Sequence, residues 1–167
     1  MPSYSTRRRI AFTPNQMFDL VADVDSYPEF LPLCESLVVK SRSVQDGNTV
    51  LVATMGIGYK AIRERFTTRV TLLPDQNEIL VEYLDGPFRH LENRWKFLPH
   101  PTGCEIDFFI TYEFRSRMLG MLMGAMFDRA FRKFASAFEQ RARIVYRGSS
   151  EGAGPQGSAS ETKPSLA

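Results

Sequence analysis

The segment from Arg117 to Tyr146 contains no proline and repeats apolar side chains at helical spacing. A helix of about 30 residues would be about 45 Å long at a rise of 1.5 Å per residue. One stripe of this helix collects Leu119, Met123, Met126, Phe127, Ala130, Phe134, Ala137, Phe138 and Val145. The opposite stripe carries Arg132, Ser136, Glu139 and Arg143. We therefore expect a long helix that buries one side against an equally long surface.

The sequence before this helix predicts such a surface, because apolar and polar side chains alternate between turn signals. From Lys60 to Leu72, one parity collects Ile62, Phe66, Val70 and Leu72, and the other carries arginine and threonine. Turn-forming sequences occur at 45–48, 74–77, 85–87 and 99–103. This spacing predicts a meander of about six antiparallel strands, and an earlier strand is expected at 3–12.

Two short helical segments are expected between the first strand and the meander. Thr13-Pro14 combines an N-cap residue with a proline at the first helical position. A second short helix or turn is expected at 25–33. The predicted fold is therefore α+β, of the helix-grip type: an antiparallel sheet wrapped around a long C-terminal helix, with two short helices after the first strand.

Chain length and composition predict one domain followed by a tail. Residues 1–147 are expected to form the domain, because 167 residues suit a single core. Residues 148–167 are rich in Gly, Ser, Pro and Glu, so a disordered tail is expected. No apolar run reaches the roughly 18 residues of a membrane span, and no long signal-peptide core is visible. The expected location is the cytoplasm, with peripheral attachment to the inner membrane as the alternative.

The composition also bears on ligands and partners. Thirteen phenylalanines exceed what a small core usually contains, which favours a ligand cavity lined by aromatic side chains. A net charge of +2 gives no strong field for nucleic acid, so no DNA partner is expected. Cys34 and Cys104 are too few and too distant in sequence for a disulfide framework or a cysteine zinc site, and no metal is predicted.

Two motifs resemble a known family. The segment Tyr27–Cys34, YPEFLPLC, resembles the Y-P-x-F-[LV]-P-x-C signature of the coenzyme Q-binding branch of START-like proteins, which is linked to the polyketide cyclase/dehydrase-like proteins. The segment from Gly86 to Phe97 resembles that family's G-P-F-x-x-L-x-x-x-W-x-F block. The resemblance covers nearly all of residues 2–146, and Leu33 stands where many relatives carry tryptophan.

The resemblance implies a non-catalytic protein that binds ubiquinone or a related polyprenyl lipid, in support of respiration or of quinone biosynthesis. No cofactor is implied besides this bound lipid. A bacterial branch of the same family is described as a ribosome-association toxin that inhibits subunit joining, so a ribosomal subunit is the alternative partner. An aromatase/cyclase-type enzyme is the third hypothesis, with the least support because no acid–base set is visible.

Strand parity and the helix stripe predict which side chains face a ligand held between sheet and helix. Glu64 and Asn93 are polar residues with inward parity, and each needs a partner because an unpaired buried polar group costs about 1–3 kcal/mol. A β-bulge that shifts the parity would carry both to solvent instead. The predicted ligand-binding residues are Phe30, Leu31, Glu64, Phe66, Asn93, Trp95, Phe97, Phe108, Ile110, Tyr112, Met123, Phe127, Phe131 and Phe134.

Candidate catalytic groups are few. His90 has the polar parity of its strand and His100 lies between two prolines in a turn, so both are expected at the surface. Cys34 has no accompanying oxyanion loop or orienting residue, so a buried structural thiol is expected. No catalytic residue is predicted.

The start of the long helix, 118–127, is apolar around its whole circumference. Ten residues cannot span a bilayer. Either a neighbouring loop or second subunit covers the outer side, or this side enters a membrane interface with arginines beside the lipid phosphates. The predicted membrane or partner surface consists of Met118, Met121, Leu122, Arg115 and Arg117.

Overall fold

The computed structural model describes residues 2–146, and the predicted tail at 148–167 lies outside the described residues. Seven strands form one antiparallel sheet in the order β1-β7-β6-β5-β4-β3-β2. Their bounds are β1 Ser3–Ile10, β2 Cys34–Gln45, β3 Asn48–Tyr59, β4 Ile62–Leu73, β5 Glu78–Asp85, β6 Phe88–His100 and β7 Gly103–Phe114. The six-stranded meander is confirmed, and β1 pairs with its last strand.

Two helical segments separate β1 from β2, as predicted. Helix α1, Pro14–Ala22, begins with a capping box: the Thr13 hydroxyl accepts the Gln16 N–H at 3.1 Å, and the Thr13 N–H donates to Gln16 Oε1 at 2.9 Å. A 3-10 helix, Val24–Glu29, follows. A further 3-10 turn, Pro74–Gln76, joins β4 to β5.

The predicted single C-terminal helix is wrong in one respect, because it is divided into α2, Arg117–Arg132, and α3, Phe134–Val145. The Lys133 N–H donates to the Ala130 carbonyl, three residues back, at 3.0 Å. This tighter hydrogen bond interrupts the helix without a proline or glycine. Helix α2 packs against β7 and β1, whereas α3 packs against α1.

The break alters which side of α3 is buried. Glu139, predicted on the polar stripe, is only 9% exposed, and Val145, predicted on the apolar stripe, is 49% exposed. Glu139 is buried because two arginines neutralise it: Arg8 at 2.6 Å and Arg143 at 2.8 Å. The bond to Arg8 joins β1 to α3 and so connects the two ends of the domain.

The inner face of the sheet has the predicted parity in β4, β6 and β7. Asn93 pairs with Ile110 and Trp95 with Phe108, so the inward side chains of β6 and β7 are neighbours. The buried inward residues of these strands are Phe66, Thr68, Val70, Leu91, Asn93, Trp95, Phe97, Ile106, Phe108, Ile110 and Tyr112. Helices α2 and α3 cover this face, which confirms the α+β helix-grip architecture. Within residues 2–146, no helix is both long and apolar enough to cross a bilayer.

Candidate functional site: an apolar cavity

A cavity of about 80 Å³ lies between the inner face of the sheet, the loop that precedes β2, and helices α2 and α3. Its polar lining side chains are Tyr27, Thr68 and Asn93, and no charged side chain among residues 2–146 lines it. The apolar lining consists of Val24, Leu31, Pro32, Leu33, Leu37, Ala53, Met55, Ile57, Phe66, Val70, Val81, Leu91, Trp95, Ile110, Phe127, Ala130, Phe131, Phe134 and Phe138. Such a lining suits an apolar molecule with very few polar groups.

Asn93 is the polar residue most firmly held in this wall. Its Oδ1 accepts the Trp95 indole N–H at 2.9 Å, and its Nδ2 donates to the Phe109 carbonyl at 2.9 Å. The side chain is therefore fixed on the sheet, and the predicted need for a partner is met. The second N–H of the amide has no acceptor among residues 2–146, so it can still donate to a ligand oxygen.

The loop with the YPEFLPLC motif forms another wall. The Tyr27 hydroxyl donates to the Val21 carbonyl, and burial raises the pKa of Tyr27 far above its usual value. Leu33 has a φ of 69°, which is unusual for a residue with a branched side chain. Its carbonyl accepts the Gly58 N–H at 3.1 Å, which ties the loop to β3. A strained residue held by a neighbouring strand is typical of a functional loop.

The same loop is fastened to α3 from outside. Glu29 accepts a hydrogen bond from Arg141 at 2.6 Å, and the Arg141 guanidinium lies 5.1 Å from the centre of the Phe30 ring. The Phe30 ring meets Phe138 edge-on at 5.1 Å. Phe30 therefore braces the loop against the C-terminal helix. Loop and helix α3 are therefore held together at the outside of the cavity.

Eight of the fourteen predicted ligand-binding residues line the cavity: Leu31, Phe66, Asn93, Trp95, Ile110, Phe127, Phe131 and Phe134. Phe30 belongs to the loop but does not line the cavity, and it packs against Phe138 instead. Four others belong to the closed core instead, each 3% exposed or less: Phe97, Phe108, Tyr112 and Met123. Aromatic neighbours fill the space in front of these positions, for example Trp95 at 4.6 Å from the Phe108 ring centre.

Glu64 does not face the cavity, so the predicted position is wrong. It has the inward parity of Phe66 but lies in a separate polar groove with Glu35, Arg63 and Arg65. The pairing of β4 with β5 is irregular nearby, because Thr67 pairs with Asp85 and Thr68 with Tyr83. The extra residue lies on β5, so the parity of β4 is unchanged. Phe66 is the first residue of β4 that lines the cavity, and Glu64 lies between it and the start of the strand.

Several lining residues were missed in the sequence. The inward side chains of β3 alternate through Ala53, Met55 and Ile57, which is the same two-residue period that identified β4. Leu33 also lines the cavity, and its membership of the YPEFLPLC motif was the available signal. Thr68 was also missed, although it has the same inward parity as Phe66 and Val70 and the alternation in β4 was the available signal.

The groups considered for catalysis lie outside the cavity lining. Burial raises the pKa of the Cys34 thiol to about 11 and that of Cys104 to about 12, so both thiols stay protonated near neutral pH. His100 interacts with the Thr102 hydroxyl at 2.9 Å in its turn, and His90 is half-buried on β6. Within the described residues, no cluster of three His, Cys, Asp or Glu side chains could hold a metal ion.

The predicted membrane or partner surface is exposed. Met118, Met121 and Leu122 are 71%, 80% and 64% exposed on the outer side of α2. Arg115 and Arg117 are exposed at the start of the same helix. The inner side of α2 carries Phe127, which lines the cavity. One helix therefore separates the exposed apolar surface from the cavity.

Comparison with known proteins identifies the family. Residues 10–139 match the family described as polyketide cyclase / dehydrase and lipid transport. The ribosome association toxin RatA of Rickettsia prowazekii is 34% identical over 150 residues, which cover 88% of this chain and 100% of that protein. The mitochondrial coenzyme Q-binding protein COQ10 homolog B of Xenopus laevis is 30% identical over 148 residues, covering 86% of this chain and 59% of that protein.

A solved structure gives independent evidence for the fold. A START superfamily protein from Mycobacterium smegmatis superimposes with a TM-score of 0.71 at 19% identity, over 86% of this chain and 98% of that one. At that identity the likeness concerns the fold alone. The motifs, the helix-grip architecture and the match over most of the domain agree: the chain belongs to the polyketide cyclase / dehydrase and lipid transport family and has a START-like fold.

Proposed function

We propose that this protein binds a polyprenyl quinone, most suitably ubiquinone, or a related polyprenyl lipid in the cavity, and holds it without chemical change. The observation that carries the proposal is the cavity lining, which is apolar except for Tyr27, Thr68 and Asn93. A void of this kind excludes water because it offers too few hydrogen-bond partners, yet it accepts an apolar group readily. The similarity to the coenzyme Q-binding relative supports a quinone as that group.

Asn93 supplies the polar contact that a quinone ring needs. A quinone carbonyl is a hydrogen-bond acceptor, and the second N–H of the Asn93 amide is the matching donor. The amide keeps its direction because Trp95 and the Phe109 carbonyl hold its other atoms. A ring at this position would lie beside the Trp95 indole, where aromatic stacking adds to the contact.

The cavity must widen to admit such a ligand. Its volume of about 80 Å³ is far below the roughly 300–1,000 Å³ typical of ligand sites. The prenyl tail therefore has to displace side chains or part of α2. Helix α2 contains Gly120 and Gly124, each of which weakens a helix by about 1 kcal/mol relative to alanine. We infer that α2 is the wall that moves.

We propose binding without catalysis because of the groups that line the cavity. Proton transfer needs a side chain whose pKa lies near the working pH. Tyr27 is the titratable lining residue, and its pKa is raised by burial while its hydroxyl donates to a backbone carbonyl. A cyclase reaction would therefore lack an effective acid or base in this cavity. The aromatase/cyclase hypothesis is the least supported for this reason.

Extraction of the purified protein tests the proposal. Protein produced in a quinone-making host is washed and extracted with organic solvent, and the extract is analysed by mass spectrometry. We expect a polyprenyl quinone in the wild type and a strongly reduced amount in Ile110→Lys, because an ammonium group in the cavity would be desolvated without a partner. Circular dichroism must show that the variant is folded. A folded wild type that carries no lipid contradicts the proposal.

The second candidate function is inhibition of ribosomal subunit joining. The observation that favours it is the 34% identity to the toxin of Rickettsia prowazekii over that protein's whole length. Sucrose-gradient sedimentation with purified subunits tests it. A lipid-free protein that migrates with one subunit and prevents joining would replace the quinone proposal. For either function we propose a cytoplasmic location, and the quinone function adds peripheral attachment to the inner membrane.

A further inference from the structure

The outer side of α2 presents an apolar strip that consists of Met118, Met121, Leu122 and Ala125, here called the outer strip. All four residues are exposed, and Met121 is 80% exposed. Their spacing of three or four residues places them on one side of the helix. Large apolar side chains scattered singly on a surface need no explanation, but a contiguous group indicates an interaction site.

Unpaired positive charge lies at both ends of the outer strip. Arg115 and Arg117 precede it and Arg129 follows it, and all three are exposed. None of the three forms an ion pair with a carboxylate among residues 2–146. By contrast, Arg132 on the same helix pairs with Asp128 at 2.9 Å. The combination is an apolar strip with free cations at its ends.

The apolar strip and the unpaired arginines together indicate which partner binds this surface. A second copy of this chain, placed symmetrically on the strip, would bring like charges into proximity. Ribosomal RNA would satisfy the arginines but would leave the methionine and leucine side chains without apolar partners. An anionic bilayer satisfies both, because apolar side chains enter the acyl boundary while arginines contact lipid phosphates. We propose that the outer strip and its three arginines dock the protein on an anionic bilayer surface.

The inner side of α2 connects membrane docking with lipid entry into the cavity. This connection rests on the proposed function. Phe127, Ala130 and Phe131 of α2 line the cavity. Added Cβ atoms would meet nothing closer than 3.7 Å at Gly120 and nothing within 4 Å at Gly124, so neither glycine is required for close packing. Helix α2 is therefore the wall between bilayer and cavity, and its two glycines lower its intrinsic helix stability. A lipid that enters past it never has to cross water.

Vesicle co-sedimentation tests the docking without any quinone. Vesicles of phosphatidylcholine are compared with vesicles that also contain phosphatidylglycerol. We expect binding to the anionic vesicles that falls as salt increases, because salt screens exposed charges. Arg117→Ala should weaken binding about fivefold, which corresponds to the roughly 1 kcal/mol that a basic residue contributes near an anionic surface. Met121→Ser should weaken it about tenfold or more, because a buried methionine contributes roughly 1.5–3 kcal/mol.

Ile144→Ser is the matched control, since Ile144 is 60% exposed on α3 and lies outside the strip. It should bind as the wild type does, and all three variants should melt as the wild type does because the changed residues are exposed. Equal binding by Met121→Ser and the wild type would overturn the proposal. A wild-type dimer that dissociates in Met121→Ser would also overturn it. So would a wild type that binds ribosomal subunits and not vesicles, if Arg117→Ala and Met121→Ser lose that binding to the subunits. Lipid carried by the purified wild type is measured separately, so failure of docking remains distinguishable from failure of quinone binding.

Discussion

Replacing Ala130 by leucine should stabilise the lipid-free protein and abolish lipid binding at the same time. Ala130 lies on α2, is 6% exposed and lines the cavity. Empty cavity volume destabilises a protein by about 24 cal/mol per Å³, so filling all of a void of about 80 Å³ would contribute about 2 kcal/mol. Leucine is nearly as good a helix former as alanine, so the substitution lowers the intrinsic stability of helix α2 very little. For a domain of about 150 residues the gain corresponds to roughly 4–8 °C in melting temperature.

The assay combines thermal melting of delipidated protein with extraction and mass spectrometry of freshly purified protein. Ala135→Leu is the control, because Ala135 is 4% exposed on α3 but does not line the cavity. Overpacking there should destabilise by about 1–3 kcal/mol. The same substitution should therefore change stability in opposite directions at the two sites.

Two results would refute this reasoning. A stabilised Ala130→Leu protein that still carries as much lipid as the wild type would show that the lipid lies elsewhere. A destabilised Ala130→Leu protein would show that no void exists at this position in solution. In the second case the aromatic cluster would be an ordinary filled core, and the cavity would not support a binding function.

Three further predictions concern a glycine of α2, the two buried thiols and the ion pairs of Glu139. Gly124→Ala should raise stability by about 1 kcal/mol in chemical denaturation, because a Cβ there meets no atom within 4 Å, and a loss would show hidden packing. In the folded state burial raises the pKa of the Cys34 thiol to about 11 and that of Cys104 to about 12. In the unfolded state both thiols lose their protons near about pH 8.5. The unfolded state therefore binds fewer protons above that pH, and stability measured in urea should fall from about pH 8.5 to 11; a flat profile contradicts this. Glu139→Gln should cost about 1–2 kcal/mol because the carboxylate is buried between two arginines, whereas Glu82→Gln, in an exposed pair, should change stability by less than about 0.5 kcal/mol.

The sequence predicted what short-range rules determine. The capping box at Thr13 and the alternation in β4, β6 and β7 are local, and each was read from neighbouring residues. Inward parity therefore identified Asn93 and Trp95 as cavity residues. The family motif marked the loop around Leu33, although not its left-handed backbone.

The errors came from features that depend on distant residues. The helix is interrupted at Lys133, and α2 and α3 pack on different elements on either side of it, which no helical periodicity reports. Glu139 is buried because Arg8, on the first strand, reaches it across the fold. Glu64 lies outside the cavity although its parity is inward, because alternation gives the face on which a residue lies but not how far a cavity extends along the strand.

Fluorescence of Trp95 tests the central claim most directly, because it is the only tryptophan of the chain and its ring lines the cavity. A short-chain ubiquinone is titrated into delipidated protein, and N-acetyltryptophanamide corrects for absorption and for collisional quenching. We expect quenching that saturates in the wild type and is lost in Ala130→Leu. Quenching that matches the free tryptophan analogue at every concentration, or that saturates equally in Ala130→Leu, would contradict binding of the quinone in this cavity.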